Sequence, residues 1–591
     1  MFGLRRILSG GTFVGVAVLG LLVVASAPAA SGQGSAARSF LTGAHARGQP
    51  PLAVDRMRSL ARGKWSASAS LGRSLRIVEA NGGANYFRMD HAVSGEAVGA
   101  TLAAAWHSEG FTGKGVKVAV IDGGFAGLAE RQAEGDVPAN VVTQDYCGGK
   151  LSTADDHGTG VAEIVHEMAP DAELYLVCIE SADDFAAAVA YAKSQGVHVI
   201  NHSAGWEGPF RNDGTDRFSA LVADARASGI LWVNSAGNEG DTHWTGTYNP
   251  SGSLHMWGPN GDVGNTFIWP NNSEICGFLK WDEWPAGVSD FDLGLFLSGA
   301  NVLLVSSDDE QGEGGGESPF ESVCVGQASG QDLTVFWAIR GYSVRSSPRI
   351  DLVSWSPPLE YSVAAGSIAA PATSSAAFAV GALCWQSRQL EPYSSQGPTI
   401  DGRVKPDIVG HDSMSSATYG AFDGTCPSGF AGTSASSPEV AGAAALVKQG
   451  YPTFSPDQIK DLLMRSARDL GSPGLDNIYG AGELQLPRPP DLVAPTAKAL
   501  VSTGRRGKML KLLSSVSDDS GEVSVVEYVK LGRKTVATIR RSGYVSAAGS
   551  KTVVSLWKVP AKATGSYQHC VRATDRGGNA SALSCAKVVV R

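Results

Sequence analysis

Between Val116 and Asn234 short apolar runs alternate with stretches of helical spacing, and no other feature of the chain narrows its fold so sharply. Val116–Ile121, Glu173–Cys178, Val197–Asn201 and Ile230–Asn234 each read as a strand. Their near-continuous apolar character suits strands covered on both faces. His157–Glu167, Ala182–Ser194 and Arg217–Ser228 carry helix periodicity between them. Strand–helix–strand units of this length predict an α/β fold built on a doubly wound parallel sheet. Helical spacing returns at Ser434–Lys448 and Ser455–Ala467, where Ser455 and Pro456 make an N-cap and N1 pair.

The alternation breaks near Tyr248. From there to Leu359 strand-like runs dominate: Thr266–Trp269, Phe278–Trp281, Phe291–Leu297, Val302–Ser306, Leu333–Ile339 and Ile350–Trp355. Gly, Asn, Asp and Pro separate them, as in a β-sandwich inserted at 248–359 into an α/β domain spanning 95–486. The acidic, Gly-rich stretch Asp308–Glu317 reads as a solvated hairpin tip, with calcium binding as the alternative. Beyond Pro487 the chain is β-like again, from Val523–Lys530 to Ala586–Val590. A Pro-rich hinge, Pro487–Pro495, therefore introduces a C-terminal Ig-like sandwich within 487–591.

Residues 1–30 read as a signal peptide. Arg5 and Arg6 precede the mostly apolar Thr12–Ala25, and Ala27–Ala30 offer small residues for cleavage. An uncleaved anchor is the alternative, but the apolar run is shorter than the roughly 20 residues a spanning helix needs. No later segment is long and apolar enough to span a bilayer, so the mature chain is expected to be secreted and extracellular. Residues 31–94, rich in Ala, Arg, Gly and Ser, suit a pro-segment or flexible spacer. All eight cysteines lie beyond the signal, an even number that fits an oxidising compartment. Eight allow 105 connectivities; pairing neighbours in sequence (147–178, 276–324, 384–426, 570–585) keeps each pair within one expected domain. With 48 basic against 57 acidic residues the net charge is −9, which argues against a nucleic-acid partner. No feature marks an oligomer interface.

Three segments place chemistry at strand ends or helix starts. Val118-Ala119-Val120-Ile121-Asp122-Gly123-Gly124 sets a carboxylate where a buried strand emerges, the usual location for sites in open parallel sheets. Asp156-His157-Gly158-Thr159-Gly160 opens a helix with an imidazole. Phe430-Ala431-Gly432-Thr433-Ser434-Ala435-Ser436-Ser437-Pro438 puts a hydroxyl at the start of an Ala-rich helix, where free N–H groups favour negative charge. Taken singly, Asp122 also reads as a turn cap, His157 as a structural histidine and Ser434 as a helix cap. His166-Glu167 lacks the second His of a zinc-protease helix, and Gly110–Gly115 lacks Walker spacing. His198, His202 and His243 read as structural or surface residues.

In the order Asp, His, Ser, these segments resemble the subtilisin-like serine peptidase family (subtilases). Ser235-Ala236-Gly237-Asn238-Glu239-Gly240 is similar to that family's oxyanion loop, and Val199-Ile200-Asn201-His202-Ser203-Ala204-Gly205 to its substrate-binding strand. The resemblance covers roughly Thr101 to Leu486, minus the insert. It implies a subtilisin-like catalytic domain and a serine endopeptidase acting on protein or peptide substrates through an acyl-enzyme. Ser434 is then the nucleophile, His157 the general base, Asp122 its orienting carboxylate and Asn238 the oxyanion donor. Ser203, Ala204 and Gly205 would pair with substrate backbone. No cofactor is required; calcium is possible, with its ligands unassigned. Gly123 stands where the family usually has Thr or Ser, Gly160 where it often has His, and Glu439 where a His often follows the motif's Pro. These departures imply a divergent subfamily with altered packing or calcium sites. Two other expectations compete: a non-catalytic binding protein on a degenerate scaffold, and a narrow-specificity peptidase that matures one precursor.

Overall fold

The computed structural model describes residues 95–312 and 317–591, together with the paired two-residue strands Val18–Leu19 and Ser74–Leu75. The expected signal peptide (1–30) and pro-segment or spacer (31–94) otherwise lie outside the described residues. Within Met1–Pro487 a seven-stranded sheet runs in the order Ile408–Asp412, Ala377–Cys384, Leu231–Ser235, Val199–His202, Lys117–Asp122, Glu173–Cys178, Val142–Asp145. Every neighbouring pair is parallel. Helices His157–Met168 and Thr433–Gly450 cover one face, sharing a core with Val118, Val120, Leu174 and Val233. Ala182–Ser194 and Arg217–Ala227 cover the other, against Ala119, Ile121, Val177 and Ile200. Alternate residues of one strand thus feed opposite cores, so the strands read as continuous apolar runs. This is the expected doubly wound α/β architecture.

The Thr433–Gly450 helix is buried along nearly its whole length, and its small residues permit that. A Cβ on Gly442 would lie 2.4 Å from Met168 Cβ, so the two helices on this face approach closely along one side. Near the other ends, a Cβ on Gly160 would meet the rings of Tyr419 (2.7 Å) and Phe430 (3.3 Å), just ahead of Thr433. Both helices therefore begin at the same edge of the sheet.

The β-rich segment forms two facing antiparallel sheets. One contains His243–Thr247, Glu274–Trp281, Phe320–Gly326 and Arg349–Trp355; the other centres on Asp290–Leu297 and Leu333–Ser343. Trp269, Trp281 and Trp337, each about fully buried, fill the space between. The strand His243–Thr247 already belongs to this sandwich, ahead of Tyr248. Val302–Ser307 and Phe320–Gly326, which flank the acidic stretch, sit in opposite sheets. That stretch therefore crosses between sheets and does not close the expected hairpin; its residues 313–316 lie outside the described residues.

Arg488–Arg591 is a second compact unit. Thr496–Ala499, Met509–Ser517 and Lys551–Lys558 form one of its sheets; Ser502–Gly504, Ser584–Val590, Tyr567–Thr574, Glu522–Leu531 and Lys534–Arg540 form the other. Burial alternates along Met509–Ser517 and Lys551–Lys558, as a half-solvated sheet demands. Four disulfides join Cys147–Cys178, Cys276–Cys324, Cys384–Cys426 and Cys570–Cys585, the pairing of sequence neighbours.

Candidate active site

Three of the singled-out segments leave adjacent strands at their carboxyl ends. Lys117–Asp122 ends in Asp122, Val199–His202 runs into Ser203, and Leu231–Ser235 runs on to Asn238. The chain winds outward from Lys117–Asp122 first to one side and then to the other, the switch point where open sheets form clefts. Asp122 pairs in register with Cys178, whose disulfide to Cys147 braces this end of the sheet.

Asp122 is buried, and its Oδ1 accepts the Gly123 N–H at 2.8 Å. His157 Nδ1 donates to Asp122 at 2.9 Å to Oδ1 and 3.0 Å to Oδ2. A carboxylate can only accept, so this contact fixes the tautomer and leaves Nε2 as the basic nitrogen. Burial opposes the imidazolium, but the charge and hydrogen bond of Asp122 outweigh it, and the His157 pKa is raised. Close packing makes the contact possible: a Cβ on Gly158 would lie 2.9 Å from Asp122 Cβ and 2.5 Å from the Gly124 carbonyl oxygen. The Phe430 ring stands edge-on to the imidazole, with centroids 5.8 Å apart.

Ser434 is the second residue of its helix and is 8% exposed. Gly432 precedes the helix at φ 120°, a left-handed value that favours glycine. Its N–H donates to Asp412 at 3.0 Å. The Ser434 hydroxyl donates to the Ser203 carbonyl at 3.1 Å and makes no hydrogen bond to His157. The Ser203 side chain is also committed internally. Its Oγ donates to the Ser434 carbonyl at 3.1 Å, sits 2.8 Å from Ser437 Oγ and accepts from Asn201 Nδ2 at 2.9 Å. The strand expected to meet substrate is therefore bolted to the helix that carries Ser434. Ala204 and Gly205, next along, are half-buried.

Asn238 is exposed, and its Oδ1 accepts both the N–H and the hydroxyl of Thr433 at 2.9 Å. This double contact orients the amide, so that Nδ2 is the group left to donate. Thr433 Oγ1 in turn accepts the Gly237 N–H at 3.3 Å. Glu239, the next residue, has a carboxyl raised to about 8 by burial and by the Glu207 carboxylate. Glu207 is itself buried and paired with Lys280 of the inserted sandwich, and Arg211 pairs with Asp282 of the same insert at 3.2 Å. The insert thus clamps the segment that continues from Ser203–Gly205.

Sequence reasoning did not single out Thr433, Phe430, Gly158 or Lys280 for these tasks. Thr433 and Phe430 lie inside the quoted Ser434 motif, where their proximity was the available signal. Lys280 had none, because its partner is 73 residues away in sequence. His198, His202 and His243 bond to backbone groups of Lys117, Ile121 and Val363, in keeping with structural roles.

The Peptidase S8 model, described as the subtilase family, matches residues 113–314 and 360–482. The chain belongs to the subtilase family. Among relatives, the minor extracellular protease Vpr of Bacillus subtilis is 26% identical over 512 residues, covering 77% of this chain and 60% of that protein. Subtilisin BL of Lederbergia lenta is 33% identical over 156 residues, covering 23% of this chain and 53% of its own length. The chain thus spans between half and two thirds of these two subtilases. Among solved structures, the Clostridium perfringens CspB protease shows 15% identity and a TM-score of 0.46, covering 66% of this chain and 97% of that one. MycP1 from Mycobacterium smegmatis shows 20% identity and a TM-score of 0.35, covering 68% and 85%. No helix among the described residues is long and apolar enough to cross a membrane.

Proposed function

We propose that this chain is a secreted serine endopeptidase that hydrolyses protein or peptide substrates through Ser434, His157 and Asp122. The observation that carries the reading is the pair of hydrogen bonds from His157 Nδ1 to Asp122, made where the helix of Ser434 also begins. For attack, the Ser434 hydroxyl leaves the Ser203 carbonyl and gives its proton to His157 Nε2; such contacts often tighten only when substrate is bound. Oγ bonds to the substrate carbonyl carbon, and the electron pair moves onto the carbonyl oxygen. Asn238 Nδ2 and the Ser434 backbone N–H receive that oxyanion. The imidazolium, steadied by Asp122, protonates the leaving amine as the C–N bond breaks. Water then repeats the sequence on the acyl-enzyme, with His157 again as base, and releases the acid. Substrate backbone lies along Ser203–Gly205 as an added strand, which reads main chain and tolerates varied side chains.

Export is part of the proposal. The apolar leader at 1–30 and the disulfide pairs both suit an oxidising exterior. Ser434→Ala tests the whole reading. The parent is expected to cleave casein and to label with a fluorophosphonate, and the variant to do neither. Labelling that persists in Ser434→Ala removes Ser434 from the role; a parent that neither cleaves nor labels favours the degenerate binding scaffold. N-terminal sequencing of both secreted forms reads, in the same experiment, where 1–30 and 31–94 are cut and whether Ser434 does the cutting.

A further inference from the structure

At one end of the Arg488–Arg591 unit three backbone segments converge. They are the strand-entry segment at Asp491, the turn after Ser517 and the turn after Thr574. Each brings aspartate: Asp491 from the first, Asp518 and Asp519 from the second, Asp575 from the third. Carboxylate oxygens of Asp491, Asp518 and Asp519 all lie within 4.8 Å of one another. Packing fixes this convergence. The Asn579 side chain of the third segment donates to the Asp491 carbonyl at 2.7 Å, and a Cβ on Gly577 would lie 2.7 Å from the same oxygen.

The cluster leaves buried oxygens without protein partners. Asp518 is 9% exposed, and its Oδ2 accepts from Ser520 while Oδ1 has no hydrogen-bond partner. Asp575 is 1% exposed, and its Oδ1 accepts the Asn579 N–H at 2.8 Å while Oδ2 has none. Asp491 Oδ1 accepts the Val493 N–H at 3.1 Å, and again Oδ2 has none. No lysine or arginine pairs with any of the four among the described residues. A buried carboxylate oxygen without a donor is costly, and the gathering of Asp491 and Asp518, each with one, beside Asp519 calls for a cation. The other carboxylate–sulfur groupings each include a cysteine already in a disulfide.

We propose that Asp491, Asp518 and Asp519 form a calcium site, with the buried Asp575 adding charge nearby, that ties the strand-entry segment to the turn after Ser517. The donors are all hard oxygens, with no imidazole or thiolate, which disfavours zinc. Carboxylates from two separate segments, that of Asp519 exposed and able to share the ion with water, suit the large and flexible shell of calcium. Magnesium demands a nearer-ideal octahedron and usually keeps most of its water.

The test uses the full chain carrying Ser434→Ala, to suppress self-digestion, stripped with chelator and dialysed against radioactive calcium up to about 10 mM, beyond the weak range of extracellular modules. It is compared with Asp518→Asn/Asp519→Asn in the same background. The double variant is expected to bind one calcium fewer per chain. Asp519→Asn alone changes an exposed residue, leaves folding intact and is expected to weaken one site by about tenfold or more, since affinity follows ligand charge. That single variant decides the matter should the double variant fail to fold. Equal stoichiometry and affinity in parent and Asp519→Asn overturns the proposal, as does a parent that binds no calcium. Displacement of that ion by equimolar magnesium overturns the choice of metal.

Discussion

In the proposed mechanism Asn238 holds two jobs that substitution can separate. Its Oδ1 accepts from the Thr433 N–H and hydroxyl, which is scaffolding; its Nδ2 remains to meet the oxyanion, which is catalysis. Asn238→Asp keeps an acceptor for Thr433 and removes the donor. Asn238→Ala removes both. Thr433 is fully buried, so the alanine variant strands two of its donors, at about 1–3 kcal/mol for each left unmet. Because Asn238 itself is exposed, water can take the vacated place, which holds the net loss near about 1 kcal/mol. Catalysis ranks the variants the other way. Loss of an oxyanion donor costs about 10²–10³ in kcat, the magnitude known for such an amide in subtilisin itself. A carboxylate in its place adds repulsion of up to about 4 kcal/mol at 4 Å, so the Asp variant falls further. The expected order of kcat is parent, Ala, Asp, while that of stability is parent and Asp together, then Ala. KM should hold, since the oxyanion exists only beyond the ground state. Initial rates on a chromogenic peptide anilide give the first order; urea unfolding in the Ser434→Ala background gives the second. An Asp variant turning over within threefold of the parent refutes the reasoning, and so does one order shared by both measurements.

Two further outcomes follow from the same geometry. His157 must be neutral to act as base and its folded pKa is raised, so activity should fall as pH drops through a value above the ordinary 6.5. Asp122→Asn removes the charge that does the raising, so the acid limb should move down while kcat falls about 10⁴-fold; a limb that stays put in the pH–rate profile contradicts the assignment. Lys280→Met leaves the buried Glu207 carboxylate without its partner, at about 3–5 kcal/mol, and Glu207→Gln/Lys280→Met should recover most of that. Urea midpoints of the two variants that coincide would show the pair to be idle.

The parallel sheet was legible because its strands feed two cores and so carry unbroken apolar runs, as in Val118–Ile121 and Val199–Ile200. Ala377–Cys384, buried at every position, escaped notice because its Ala-rich run fits a buried helix as well as a strand. Asp122, His157 and Ser434 were legible as polar residues at strand ends and helix starts. What sequence spacing could not carry were contacts between distant segments. Lys280 is an ordinary strand residue until folding sets Glu207 beside it. The Ser203 side chain likewise read as part of a substrate strand, although its hydroxyl is spent inside the protein on Ser434 and Ser437.

Two of the three departures from the family pattern, Gly160 and Glu439, find their reasons in packing. At Gly160 any Cβ would collide with the Tyr419 ring, which stacks on Phe430 at 4.5 Å, and Phe430 in turn stands against His157. An imidazole at 160 and this ring stack cannot share the space; the aromatic pair occupies it and stands against the His157 ring from the side. Glu439 is fully buried, and its carboxylate accepts from the His411 N–H at 2.8 Å and from His411 Nδ1 at 2.9 Å, while His411 Nε2 meets Glu483 at 3.0 Å. Those two carboxylates outweigh burial and raise the His411 pKa to about 9, so the ring is an imidazolium at neutral pH. The pair ties the Ile408–Asp412 strand to the Ser434 helix, and the next residue, Asp412, accepts the Gly432 N–H that sets the turn into Thr433. A histidine at 439 would face another cation at His411, so the two positions must change together. Both departures lie in the supports around the site, and the His157 hydrogen bonds to Asp122 are made beside them.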